Sequence, residues 1–308
     1  MAEKKTTAKT NSEKPQKKGL IWVLGFIAAI IAGVIWDVSE KKAETSEIMD
    51  TELRVHYIDV GQGDCILIES GEDTLLIDCG EVNKGDTVKA YLNAHNITQL
   101  DYVIGTHPHS DHMGCMDKIV EYYDIGELIL PHLDDSDIPT TKYFERFLNA
   151  AENKGLEITE AELGRIFDIG EAECEIIAPC SDDYNNTNNY SVGVIIRHGE
   201  NGFIFTGDAE KSAEKEMIDS GKLVDIDVYK AGHHGSDTSS SEEFLKIIKP
   251  DIAVISCGEG NSYGHPCDIT LENLSKYTDK VYRTDLSGTI VITSDGSNLT
   301  VKEKGTEK

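Results

Sequence analysis

The segment THPHSDHMG, residues 106–114, places His107, His109, Asp111 and His112 within one turn at the end of an apolar run, LDYVIG. Imidazole and carboxylate together suit zinc, manganese or iron. His107 and His109 are two apart and point the same way in an extended segment, whereas Asp111 and His112 can turn toward a second ion where a helix begins. That spacing is for two metals rather than one. A dinuclear pair about 3.5–4 Å apart activates a bridging hydroxide and clamps the attacking and leaving oxygens. Such a site needs a bridging carboxylate and further imidazoles from elsewhere in the chain. Asp208, ending the strand-like FIFTGD, supplies the carboxylate, and His234 in KAGHHGS, again at the end of an apolar run, supplies an imidazole.

Three nearby residues have weaker claims. His233 precedes His234, and adjacent residues in a strand face opposite ways, so it is expected to pack or orient. Ser236 suits donation to a phosphoryl oxygen or, equally, capping of a helix near residue 241. His265, between Gly264 and Pro266, is held in a tight loop and suits protonation of a leaving oxygen or stabilisation of the anion, with a surface turn as the alternative.

The elements that must position these residues follow from local pattern. LRVHYIDV (53–60), CILIE (65–69) and TLLID (74–78) are short β-branched runs separated by GQGD and SGED turns, and predict an antiparallel meander. Beyond them strand and helix patterns alternate: helices over 84–96, 113–124, 140–154, 209–220, 241–249 and 268–277, strands at 100–106, 126–131 and 251–258, a set of short strands over 155–178, and 225–236 as strand running into loop. Residues 190–208 predict a hairpin turning at Gly199–Gly202, and 280–303 the closing strands. Hairpins interleaved with helices predict an α/β fold of two mixed sheets packed face to face with helices outside.

The chain has 308 residues, 39% of them hydrophobic, enough for one large domain with a good core. Eight of its 29 basic and seven of its 56 acidic residues lie in the first fifty, leaving 21 against 49 for the remainder. Such an acidic body repels polyanions and gives no general nucleic-acid footprint, though it leaves a metal-dependent phosphodiesterase open. Residues 19–36, GLIWVLGFIAAIIAGVIW, are an uncharged run of 18. At about 1.5 Å per residue they reach about 27 Å, close to the roughly 30 Å of a bilayer core. Trp22 and Trp36 flank the run, and six lysines precede it in residues 1–18. The expectation is a single-pass signal anchor in the cell membrane, with a basic cytoplasmic tail (1–18), a polar linker (37–50) and an extracytoplasmic domain (51–308). A cleaved signal peptide or a peripheral helix are the alternatives. Seven cysteines show no CxxC spacing; Cys174/Cys180 and Cys257/Cys267 could pair in an oxidising compartment, but small buried strand residues are the favoured reading.

With these motifs in place, a resemblance emerges. TLLIDCG, THPHSDH, TGD and the later His234 resemble the successive motifs of the metallo-β-lactamase superfamily. DVGQGDC (59–65), KAGHHGSDTSS (230–240), NSYGHP (261–266) and YRTDLSGTI (282–290) further resemble the extracytoplasmic hydrolase domain of ComEC-type competence proteins and its stand-alone relatives. The resemblance runs from residue 53 to about 303 and does not extend to a many-helix channel or a small barrel domain. It implies a four-layer αββα sandwich with metals at the sheet edge. His107 and His109 would hold the first ion, Asp111, His112 and His234 the second, with Asp208 bridging and Asp78 orienting the histidine loop from below. Where many members carry a third histidine for the first ion, this chain reads NNYS (188–191), so Asn189 is expected as a weak ligand or substrate contact and His132 as a replacement ligand.

The implied cofactors are two divalent ions, zinc expected and manganese the alternative. The implied reaction is attack by a metal-bound hydroxide, held by Asp111 and Asp208, on a phosphodiester of nucleic acid or of a cell-envelope polymer. A non-catalytic anchored binding module and a hydrolase of acyl substrates are the competing readings. No protein partner is inferable.

Overall fold

Strand alternation in the first element sets the layering. In β1 (Leu53–Tyr57) Leu53, Val55 and Tyr57 point to one face and Arg54 and His56 to the other. The computed structural model describes residues 51–134 and 137–303. β2 (Ile66–Ser70) and β3 (Asp73–Ile77) complete the expected antiparallel meander. α1 (Gly85–Ala94) then crosses to β4 (Gln99–Ile104), parallel to β3, and α2 (Ser110–Met113) and α3 (Met116–Tyr122) cross to a parallel β5 (Asp124–Leu130). α4 (Lys142–Lys154) buries Phe144, Phe147, Ala150 and Ala151 at helical spacing and stops at Gly155 in the left-handed region, φ 65°. The short β6 (Ile158–Glu160) ends this half.

The second sheet begins with β7 (Ile166–Ile169), β8 (Ala172–Ala178), β9 (Gly193–His198) and β10 (Asn201–Phe205), all antiparallel. The β9–β10 hairpin turns at Gly199–Glu200, inside the expected span. α5 (Lys211–Ser220), β11 (Val228–Lys230), α6 (Glu242–Ile248), β12 (Ile252–Ile255), α7 (Asp268–Ser275) and β13 (Val281–Arg283) then alternate, with β10 to β13 parallel. After α8 (Thr284–Ser287), β14 (Ile290–Ser294) and β15 (Leu299–Glu303) return to the first sheet, where β14 pairs with β1. The sheets run β15-β14-β1-β2-β3-β4-β5-β6 and β13-β12-β11-β10-β9-β8-β7.

Three apolar layers fix the α/β/β/α order. Tyr57, Ile68, Ile104, Val194, Phe203 and Phe205 fill the space between the sheets. Leu67, Val88, Leu92, Ile119, Val120 and Phe147 seat α1, α3 and α4 on the first sheet, and Ile204, Met217, Phe244, Leu245 and Leu274 seat α5, α6 and α7 on the second. The expected helix over 113–124 is instead two pieces. At Gly114 a Cβ would sit 2.1 Å from the Ser110 carbonyl oxygen and 2.4 Å from the Val82 nitrogen, so the chain breaks where another backbone segment crosses it.

All seven cysteines are free thiols, five of them fully buried, as the small-core-residue reading expects. The expected anchor at 19–36 and linker at 37–50 lie outside the described residues. Among the described residues no helix is long and apolar enough to cross a membrane.

Phe147 is fully buried beneath α4. Phe147→Ala is expected to lower the free energy of unfolding by about 3–5 kcal/mol, read from urea denaturation, since a ring-sized void in that layer cannot close.

Candidate metal centre

The parallel stretch of each sheet delivers loops to a common rim. Asp78 follows β3, the 106–113 loop follows β4, Asp208 follows β10, the 231–236 turn follows β11 and the 257–267 loop follows β12. Side chains at the carboxyl ends of parallel strands converge because the crossovers all return from the same side. All of these but Asp78 contribute to a cleft of about 450 Å³, lined also by Gln62, Tyr143 and Asn188.

At its floor the imidazoles meet in pairs. His107 Nε2 lies 3.0 Å from His109 Nδ1, and His112 Nε2 lies 3.2 Å from His234 Nε2. Asp208 stands between the pairs. Its Oδ1 is 3.2 Å from His112 and 3.5 Å from His234, and its Oδ2 is 3.8 Å from His107 and 3.6 Å from His233. Asp111 Oδ2 approaches His234 Nε2 at 3.3 Å. The structure therefore brings together all six residues expected as ligands.

The donor set fits divalent cations. Asp208 Oδ1 is buried and makes no hydrogen bond, and the His112 and His234 rings that face it at 3.2 and 3.5 Å stand where a cation would take over their charge. The ring nitrogens that face each other at 3.0 and 3.2 Å bring further donors to the same place, open to a cation once they give up any proton they carry. His112, His234, Asp208 and Asp64 can all direct one ligand atom within 4.8 Å of the others.

Below the cluster Asp78 holds the geometry. Its carboxylate accepts from the Thr106 amide (2.8 Å) and hydroxyl (2.7 Å) and bonds His112 Nδ1 at 2.7 Å, fixing that ring so that Nε2 faces the cleft. Ser191 braces the other side, its hydroxyl accepting from the Asp208 amide at 3.0 Å and lying 3.3 Å from His107 Nδ1. Thr106, Ser191 and Asp78 are all fully buried, so the ligands stand on a rigid polar floor.

Electrostatics divide the imidazoles. Burial, reinforced by neighbouring His112, holds His107 and His109 below the ordinary histidine range, so both are neutral bases at pH 7. Burial also acts to lower His112 and His234, but the surrounding carboxylates, Asp208 and Asp78 for the first and Asp208 and Asp64 for the second, outweigh it and hold both well above 6.5. Asp208 and Asp111 are kept ionised: burial opposes their charge, and the adjoining histidines overcome it.

The remaining expectations are rearranged. His265 lines the cleft beside His233, ring centroids 5.6 Å apart, and its loop is pinned by Asn261, which bonds both its amide and its carbonyl. Burial, then the neighbouring His233 and His234, hold its pKa below the usual value, so the ring is neutral at pH 7. Ser236 is buried with its hydroxyl 3.1 Å from that of Thr238 and does not line the cleft; Ser241 caps α6, accepting from the Phe244 amide. Asn189 is likewise turned away, its amide spent on Ser212 and on the Glu210 backbone. Asn188 lines the cleft instead, with a buried side-chain oxygen that makes no hydrogen bond, because the 3₁₀ turn Thr187–Tyr190 does not follow strand alternation. His132 is no replacement ligand: it is part exposed, outside the cleft lining, and pairs with Glu160 at 3.0 Å. His233 lines the cleft although the strand rule pointed it elsewhere. β11 ends at Lys230, and His233 and His234 are both left-handed, φ 48° and 54°.

Asp64 was not singled out by sequence. It is fully buried beside His234, with Oδ2 bonded to the buried Lys230 ammonium at 2.9 Å and Oδ1 making no hydrogen bond. Gly63 makes this placement possible. It adopts φ 121° where a Cβ would lie 2.1 Å from the Asp111 carbonyl oxygen, which accepts from the Asp64 amide. The GQGD turn signal hid both residues.

Residues 58–259 match the family described as the Metallo-beta-lactamase superfamily. Among curated proteins, the chain is 31% identical over 260 residues to ComE operon protein 3 of Bacillus subtilis (strain 168), covering 79% of this chain and 33% of that protein. It is 30% identical to Recombination protein 2 of Haemophilus influenzae, covering 82% and 30%, and 26% identical to Competence protein ComA of Neisseria gonorrhoeae, covering 79% and 32%. The chain thus spans about a third of the length of the curated relatives it matches. Among solved structures, CmlA, a diiron beta-hydroxylase from Streptomyces venezuelae, shares the fold with a TM-score of 0.52 at 15% identity, over 79% of this chain and 54% of that one.

Two outcomes test the centre. Because His112 and His234 retain protons to well above pH 6.5 in the metal-free protein, a cation must displace them. Zinc affinity should therefore rise with pH from about 6.5 upward, with protons released on binding, measured by calorimetry in buffers of different ionisation heat. Asp78→Asn should weaken zinc binding by about 10–100-fold, measured by competition with a chelator.

Proposed function

The chain belongs to the metallo-β-lactamase superfamily, and from that premise we propose that it is a membrane-anchored phosphodiesterase. The observation that carries the reading is the cleft's composition. Its walls offer Gln62, Ser110, Thr141, Tyr143, Asn188 and Tyr263 as neutral hydrogen-bonding groups and, among the described residues, no lysine or arginine, above a floor with the donors to hold cations. A phosphodiester needs one negative charge neutralised, which the cation floor does, and hydrogen bonds to its flanking groups, which the walls supply. A cleft of about 450 Å³ suits a single diester linkage with its immediate substituents. The likeness to a competence protein and to a recombination protein supports nucleic acid as the source of that linkage. The acidic body of the chain supports a short or envelope-linked diester instead.

His107, His109, Asp208, Asp111, His112 and His234 would hold the two cations, and Asn188 lines the same cleft. Divalent cations held there supply Lewis-acid activation of the phosphoryl group and of a water nucleophile. Asp111, ionised and at the cleft surface, accepts a hydrogen bond from the attacking water and turns its lone pair toward phosphorus. His107 and His109, neutral through burial, keep their nitrogen lone pairs directed at the floor. The neutral His265 offers its ring N–H as a hydrogen bond to the departing oxygen as charge builds there, and Asn261 keeps the ring in the cleft. Lys230 and Asp64 neutralise each other behind His234, so the floor gains no stray charge.

The full chain, loaded with zinc or manganese, should hydrolyse bis-p-nitrophenyl phosphate and leave nitrocefin and acyl thioesters intact. Turnover of the acyl compounds alone would overturn the reading. Asp208→Ala should lose bound metal and hydrolysis together, as measured by mass spectrometry of metal content beside the assay. His265→Ala should retain the metal and lose about 10²-fold or more in kcat. A single-stranded oligonucleotide set against a teichoic-acid diester then separates the two sources of substrate.

A further inference from the structure

A second convergence of ligand-type side chains lies on the helix-facing side of the first sheet and shares no residue with the cleft. His56 on β1, Glu69 on β2 and His95 just after α1 can each direct one ligand atom within 4.8 Å of the others. His56 Nε2 and His95 Nδ1 both approach the same carboxylate oxygen, Glu69 Oε2, at 2.6 and 3.7 Å. His56 Nε2 and Glu69 Oε2 are both buried, and apart from these ion-pair contacts neither has a hydrogen-bond partner. His56 is 1% exposed, so no solvent satisfies its nitrogen.

We propose that His56, Glu69 and His95 form a zinc site separate from the cleft, which fastens α1 to the first sheet. Two imidazoles and one carboxylate are a zinc-type donor set, leaving a fourth position for water. The surroundings hold the ligands in place. The Tyr91 hydroxyl lies 2.8 Å from His56 Nδ1; when it accepts the proton of that nitrogen, the Nε2 lone pair is free for a metal. Tyr91 also stacks on His95 at 4.6 Å between centroids, and His95 meets His56 edge to face at 4.7 Å. A cavity of about 360 Å³, lined by Glu69, Glu72, His95 and Thr98 among others, opens beside two of the donors, Glu69 and His95. It provides an entry path and room for the water. The sequence distances explain why the pattern is silent: the donors come from three elements and only their packing unites them.

The test is a zinc titration of the metal-stripped full chain against a chromophoric chelator, with Glu69→Gln and His95→Ala alongside. Each variant should bind one zinc equivalent per chain fewer than the wild type, while hydrolysis by the loaded protein is unchanged. Cobalt in place of zinc should lose a matching part of its visible absorption in both variants. Equal zinc uptake by wild type and folded variants would overturn the proposal, as would loss of hydrolysis in step with the missing zinc, since the two clusters would then be one unit. Circular dichroism reports folding, and if Glu69→Gln unfolds, His95→Ala at its partly exposed helix end decides alone.

Discussion

Four imidazoles can share a nearly dry pocket only if carboxylates alternate with them, and the rest of this molecule is organised around that constraint. Asp208 separates the two histidine pairs, Asp78 stands beneath His112, and Asp111 and Asp64 flank His234. Without these acids, burial would render every ring neutral and leave opposed lone pairs in contact. With them, the pocket is a ready anionic cradle whose charge divalent cations would complete. Lys230 shows how finely the charge is set. A buried ammonium is expensive, yet here it bonds Asp64 and the Ala231 carbonyl and removes one unit of negative charge from the edge of the cradle.

The sandwich supplies rigidity where that cradle needs it. The ligand loops leave strands whose inward faces are locked between the sheets and whose outward faces are covered by helices, so each loop starts from a fixed point. Part of the backbone strain lies at the rim. His233 and His234 both occupy left-handed conformations between two glycines, and Asp78 does so at φ 57°, in each case where a side chain must be aimed rather than packed.

Much of this was legible in the amino-acid order. The meander, the hairpin and the alternating second half follow from apolar periodicity, and the HxHxDH run with Asp208 and His234 announces its chemistry by residue type alone. What stayed hidden has local causes. Gly114 looks like an ordinary helix residue until the crossing segment at Glu81–Val82 is known. Asn188 and Asn189 are indistinguishable without the phase of a 3₁₀ turn. His233 was misdirected because alternation was extended past the last residue of a strand. Asp64 and Lys230 lie 166 residues apart, and neither has a reason to be noticed until the other is beside it.

The position of β1 has a consequence for how the chain is made. It lies inside the first sheet, with β2 on one side and β14 on the other, and its register pairs Leu53 with Ser294 and Tyr57 with Ile290. One side of its hydrogen-bonding row therefore waits for nearly the whole domain to be synthesised before a partner arrives. Closing so long a loop is slow, and until it closes an apolar strand presents an open edge. During synthesis, then, the vulnerable interval belongs to the first strand, and it ends only when the final hairpin docks.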